Sequence, residues 1–227
     1  MALTPKTLTL YTSPLSGCSA RIRIATSLKR IPITEHLLSI AQPRPPTYLS
    51  QNPNGTVPTL IAEYRNGQIL TLTQSLSMLE FLEESYGDGG SEVRLLPPAT
   101  EMKRRTQVRD LAALVACDIQ PVQNSRIRAM VESFGGNGTA WAQSVYRRGL
   151  AVYEQMVRKS AGKYSVGDEI TMADVCLWPM VQGGERVGVD VGDRGCETVA
   201  SIMRELGNRS EFVEGGLQFH RAHEVEV

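Results

Sequence analysis

The chain has 227 residues, with 24 Lys plus Arg against 24 Asp plus Glu and no net charge. That length carries one large domain or two small ones around a full core, and the charge balance gives no reason to expect nucleic acid or an anionic membrane as the main partner. Four cysteines, Cys18, Cys117, Cys176 and Cys196, stand far apart without C-x-x-C or metal-ligand spacing, which reads as reduced thiols of a cytoplasmic protein rather than a disulfide framework.

Met1 to Lys6 has no long apolar run behind it, so neither a signal peptide nor a membrane anchor is expected. Thr7 to Tyr11 reads as a strand. The segment Ser16 to Ala25 follows it and opens a helix, placing a hydroxyl and a thiol two residues apart where free N–H groups and the positive end of the helix dipole converge. Such a turn can hold a thiolate, the protein's own or a ligand's. Arg21 to Leu28 reads as helix, with Ile22, Ala25 and Leu28 at helical spacing. Ile33 to Leu38 is the next strand, and Gln42, Pro43, Pro45 and Pro46 make a loop.

Val57 to Ala62 is strand-like, Asn66-Gly67 predicts a two-residue hairpin turn, and Ile69 to Leu72 returns. Gln74-Ser75 starts a helix with Leu76, Leu79 and Leu82 as its buried stripe, ending at Gly87. The domain expected over 1–87 is therefore β-α-β then β-β-α. Residues 88–99 read as linker, and 100–227 show helical signals only. Long helices are expected over 101–119, with Leu111, Leu114 and Val115 inward, and over 140–160, with Trp141, Val145 and Val152 inward. Thr171 lies three residues before Asp174, a reciprocal cap that assigns Asp174 to folding.

These segments together resemble the zeta class of glutathione transferases over nearly the whole chain. The resemblance rests on Ser16-x-Cys18-x-x-Arg21-Ile22-Arg23-Ile24-Ala25, Asn52-Pro53, Val57-Pro58-Thr59-Leu60, Gln74-Ser75-Leu76, Ile119 to Asn124, Val166 to Asp174 and Glu185-Arg186. It implies a thioredoxin-like α/β N-terminal domain, an all-α C-terminal domain and glutathione as cofactor. It further implies a cytoplasmic homodimer that isomerises maleylacetoacetate-like enone dicarboxylates from cis to trans in aromatic amino acid catabolism. Conjugation of small electrophiles such as α-halo acids, a specialised biosynthetic isomerisation, and a non-catalytic glutathione-fold binding protein are the alternatives.

Ser16 carries the chemistry implied by the resemblance. A free thiol titrates near about 8.5, and a hydroxyl donating to the sulfur of glutathione lowers that value by stabilising the anion. The plain reading is an N-cap serine. Cys18 is placed beside the substrate. Gly17 departs from the second serine common in the family, and Ala20 is smaller than usual there. Val57-Pro58 is expected to be cis, with the Val57 N–H and C=O pairing with the cysteinyl part of glutathione as an added strand would.

Gln74 and Ser75 suit the γ-glutamyl carboxylate at a helix start, and Gln42 the glycyl end. Arg186 matches the arginine that binds a substrate carboxylate through a fork of N–H groups, and Arg21 is either a second anion contact or a core-edge residue. Gln120, Asn124, Ser125 and Arg126 match positions lining the cleft from the second domain. His36, His220 and His223 are too scattered for a metal centre, so none is expected.

Overall fold

The computed structural model describes residues 4–39, 42–87, 93–192, 195–218 and 221. They form two compact units. One runs to Leu95 and takes up the chain again from Glu214; the other is Leu96–Val213. The sequence boundaries differ from this at the far end, where the chain after Val213 packs with the first unit. Histidines 220 and 223 and residues 88–92 of the expected linker lie outside the described residues.

The first unit holds a four-stranded sheet in the order β2-β1-β3-β4, with β1 Thr7–Thr12, β2 Thr34–Leu37, β3 Thr59–Glu63 and β4 Ile69–Leu72. β1 and β2 are parallel and flank α1 (Gly17–Leu28) in the chain; β3 is antiparallel to both β1 and β4. Alternation sets the inward face: Leu8 and Leu10 of β1 stand opposite Ala62 and Leu60 of β3, all buried. α1 supplies Ile22, Ile24, Ala25 and Leu28 to the core; after the short helix α2 (Pro46–Leu49), α3 (Ser75–Tyr86) supplies Met78, Leu79 and Leu82. Leu76, expected in that stripe, is only half-buried, and Met78 takes its place. The Lys29 ammonium, fully buried, meets Glu83 at 2.8 Å, and the same carboxylate oxygen accepts the Leu95 N–H at 2.9 Å, joining α1, α3 and the segment after α3.

The β3–β4 connection is a hairpin, but not the two-residue turn expected. The Tyr64 N–H donates to Gln68 O and the Gly67 N–H to Tyr64 O, leaving Arg65, Asn66 and Gly67 as a three-residue loop. Only Gly67 has positive φ, at 82°, so Asn66 does not take the left-handed pair of a type I′ turn. Instead the Asn66 carboxamide accepts the Gln68 N–H at 3.0 Å.

The second unit is helical. α4 (Met102–Ala113) continues as a π-helical turn, Leu114–Ile119, then α5 (Gln120–Gln123) and α6 (Ser125–Ser133). The helix expected over 101–119 thus widens near its end, just before Pro121, which has no N–H to give back to it. α7 (Gly138–Val157) buries Ala142, Tyr146, Gly149, Leu150, Tyr153 and Val157. Trp141, Val145 and Val152, expected inward, are not buried. That inward face includes two tyrosines and a glycine: a Cβ at 149 would lie 2.6 Å from the Ile119 side chain, and Tyr153 shares a 3.0 Å hydrogen bond with Ser165.

α8 (Met172–Glu185) is buried along nearly its whole length and opens on the expected cap, the Thr171 N–H donating to Asp174 at 2.8 Å. α9 (Glu197–Gly207) and α10 (Ser210–Gly215) follow. No helix of the described residues is long and apolar enough to cross a membrane, and among them no group of three or more His, Cys, Asp or Glu is placed to hold a metal ion.

Candidate active site

Ser16 is the N-cap of α1. Its own N–H donates to Ser13 O at 3.1 Å, and its Oγ accepts the Ser19 N–H at 3.2 Å. The cap reading and the chemical reading are therefore compatible: an oxygen that accepts the cap bond keeps its O–H for a further acceptor. The first-turn N–H groups beside it have no partner within a helix. Cys18, the second helical residue, is half-buried with a free thiol, and Gly17 between them contributes backbone alone.

The Val57-Pro58 bond is cis, as expected. Its loop is held from behind by residues to which sequence reading gave no role there. Asn52, 1% exposed, donates to Thr56 O at 2.8 Å and to Thr59 Oγ1 at 3.0 Å, and the Tyr48 hydroxyl also donates to Thr56 O. Both bracing side chains converge on the turn that presents Val57. The Val57 backbone N–H and C=O enter no hydrogen bond among the described residues, which leaves them open to an extended peptide.

Arg21 is 1% exposed and donates to Ser75 Oγ at 3.0 Å. Ser75 is the first residue of α3, so a guanidinium and the positive end of a helix dipole lie at one place. A bound carboxylate satisfies both. Both readings given for Arg21, a second anion contact and a core-edge residue, are compatible with its burial and its bond to Ser75. Gln74, just before Ser75, is exposed and gives no side-chain cap bond. Gln42 is exposed and forms no hydrogen bond with the other site residues among those described.

These donors fit glutathione chemically. They offer a hydroxyl at a helix N-terminus for the sulfur, an open backbone N–H/C=O pair for the central peptide, and a cationic helix start for the α-carboxylate.

In the helical unit, Asn124 caps α6 through its side chain, accepting the Ile127 N–H at 3.1 Å; Ser125 and Arg126 are exposed and Gln120 half-buried. Arg186, exposed at the C-cap of α8, lies one turn beyond Gly183. Tyr146 packs against that stretch, its ring carbon Cδ1 3.4 Å from where a Cβ of Gly184 would be, and a Cβ on Gly183 would overlap its hydroxyl. Burial pushes the Tyr146 hydroxyl up to about 12, opposed by the Arg186 and Arg128 charges and by a hydrogen bond with Gln123. Tyr146, Arg128 and Gln123 thus join Arg186 in a cationic, hydrogen-bonding group that sequence reading missed. Tyr146 reads as an interior position of an ordinary helix, and Arg128 belongs to a different helix altogether.

Known proteins match along the same lines. Residues 10–91 fit the family model of the glutathione S-transferase N-terminal domain, and 136–211 that of the C-terminal domain. The chain is 48% identical over 185 residues to the maleylacetoacetate isomerase of Aspergillus fumigatus, covering 81% of this chain and 79% of that one. The crystal structure of maleylacetoacetate isomerase from Anaeromyxobacter dehalogenans, with dicarboxyethyl glutathione and citrate bound in its active site, superimposes with a TM-score of 0.81 at 31% identity, covering 93% and 94% of the two chains. A bacterial zeta-class maleyl pyruvate isomerase superimposes with a TM-score of 0.80 at 30% identity, covering 94% and 97%.

Proposed function

The chain belongs to the glutathione S-transferase family, and from that membership we propose that it is a zeta-class, glutathione-dependent cis–trans isomerase of enone dicarboxylates of the maleylacetoacetate type. The observation that carries the reading is the Ser16 turn, where one Oγ both caps α1 and keeps a proton to donate. When bound, glutathione supplies a thiolate that adds reversibly to the conjugated double bond, so that the bond can rotate before the thiol leaves.

The chain's own residues prepare that chemistry. Ser16 donates its O–H to the sulfur and lowers the thiol's pKa, assisted by the dipole of α1, about 0.3–1 kcal/mol. Arg21, Gln74 and Ser75 hold the γ-glutamyl carboxylate, the Val57 N–H and C=O hold the cysteinyl unit, and Gln42 reaches the glycyl end. Gln120, Asn124, Ser125 and Arg126 of the helical unit are proposed as further glutathione-binding residues. Arg186 holds a substrate carboxylate and stabilises charge that develops on the conjugated carbonyl. Cys18 is the second catalytic-site residue of the proposal, a thiol beside the reacting centre.

A cytoplasmic homodimer in aromatic amino acid catabolism is part of the same proposal. Four cysteines outside any disulfide, Cys117 exposed, suit a reducing compartment, and exposed Ile69 and Leu70 on edge strand β4 offer apolar surface to a second copy.

The test is incubation with glutathione and maleylacetoacetate, or a stable cis analogue, with double-bond geometry and conjugate formation followed together. A trans product with glutathione recovered supports the isomerase. A stable conjugate assigns a transferase instead, and neither product overturns the enzymatic reading.

A further inference from the structure

Arg23 is buried, 4% exposed, two residues beyond Arg21 on α1, and nothing in the catalytic reading uses it. Its guanidinium reaches in two directions. Towards the Ser16 turn, Nη1 donates to Thr12 Oγ1 at 2.8 Å and to Ser13 O at 3.2 Å, and Nη2 to Pro14 O at 3.4 Å. Towards the chain's return, Nε donates to Gly215 O at 3.1 Å and Nη2 to Gly216 O at 2.6 Å. Ser13 O is also the acceptor of the Ser16 N–H, and Pro14 O of the Gln218 N–H at 3.0 Å. The returning segment presses on α1 itself: a Cβ on Gly215 would stand 2.9 Å from the Ile24 backbone nitrogen.

We propose that Arg23 and the segment Gly215–Gln218 act together as a positioning device for the thiolate-stabilising turn, fixing Thr12 to Pro14 so that Ser16 presents its hydroxyl to the glutathione sulfur. The inference rests on the role given to Ser16 above. Its physical ground is geometric redundancy. Five donations from one planar group, to three consecutive residues on one side and two on the other, fix the turn far more tightly than its own backbone bond does. A lysine has the charge without the fork and cannot span both sides. The acceptors named are all neutral. Glu35 and Arg221, which are paired at 3.1 Å, are the charged groups whose fields act on Arg23, and burial lowers the arginine's pKa to about 10, still cationic at neutral pH.

The experiment compares wild type, Arg23→Lys and Gly215→Ala, which loosen the joint from its two sides, and the double variant. Three readouts are taken: the pKa of the bound glutathione thiol from its ultraviolet thiolate absorbance, amide exchange of a peptide covering residues 12–19 without ligand, and kcat and KM for glutathione. Expected for each single variant is a thiol pKa raised by about one unit, hence about tenfold less thiolate at neutral pH. kcat should fall in proportion with KM little changed, and exchange at residues 12–19 should be faster. The double variant should be no worse than the poorer single one, because both break one joint.

If Arg23→Lys does not fold, Gly215→Ala alone decides. A folded variant with unchanged thiol pKa and unchanged exchange overturns the proposal. If wild type itself does not lower the thiol pKa, the role of Ser16 fails instead, whatever the variants do.

Discussion

Arg21 on α1 and Ser75 at the start of α3 are joined by a 3.0 Å hydrogen bond between two buried side chains, so the two helices share one cationic corner. Replacing Arg21 with Gln should remove the charge and leave the helix dipole alone to hold the carboxylate. A charge-assisted contact contributes about 1.5–3 kcal/mol, so glutathione affinity measured by calorimetry should fall by about tenfold or more while kcat at saturating glutathione changes less. Unchanged affinity would remove Arg21 from the site.

Ser16→Ala tests the hydroxyl directly. Loss of the cap costs about 0.5–2 kcal/mol of stability, visible as a lower melting temperature. The catalytic effect should be larger and of a different kind. Without the donor, the bound thiol's pKa moves up towards its free value, so the rate rises through a higher pH range than in wild type. A pH–rate profile of the variant that overlays the wild-type curve would refute the assignment.

Glu154 gives a prediction on stability alone. Burial favours its neutral form, yet donations from the Thr198 and Val199 N–H groups at 3.2 and 2.9 Å and from Arg158 at 2.8 Å outweigh that and hold the carboxyl below its ordinary value. A depressed carboxyl contributes stability above its unfolded pKa, and that contribution is lost as pH falls through its folded pKa. Glu154→Gln should therefore be less stable than wild type at neutral pH, by about 1–3 kcal/mol for buried donors left poorly matched. The two unfolding curves should converge below the ordinary carboxylate range.

Gly183 leaves room for the Tyr146 hydroxyl, and Gly183→Ala should force the two apart at a cost of about 1–3 kcal/mol. Combining it with Tyr146→Phe, which removes the overlapping oxygen, should recover part of that loss. Chemical denaturation of the three variants measures it. A double variant no more stable than Gly183→Ala would mean that the hydroxyl is not what a side chain at 183 meets.

Local signals were the most legible. The strands at β1 and β3, the start of α3 at Ser75 and the Thr171–Asp174 cap are each fixed by residues within a few positions of one another, and the structure shows all of them. The inward face of α7 was misread because apolar spacing favoured Trp141, Val145 and Val152. The true face hides tyrosine hydroxyls that find partners and a glycine whose purpose is the Ile119 methyls on another helix. The hairpin was misread because Asn-Gly supports two turn geometries, and only the pairing of Tyr64 with Gln68 selects between them. Arg23 meets Gly215 and Gly216 only on folding, so no spacing announces that joint; Asn52 and Tyr48 bond Thr56 and Thr59 four to eleven positions on, but through no motif that names the loop they brace.

The split composition of the first unit bears on how the protein is made. Its sheet and both flanking helices leave the ribosome early, but the strands of chain that close over α1 come only after the whole helical unit has been synthesised. The buried Arg23 must wait, half-partnered, for Gly215 and Gly216. A nascent chain halted before Glu214 should hold a sheet without a finished Thr12–Pro14 turn, because the contact that completes it joins residues almost two hundred positions apart, the long-range kind that forms slowly.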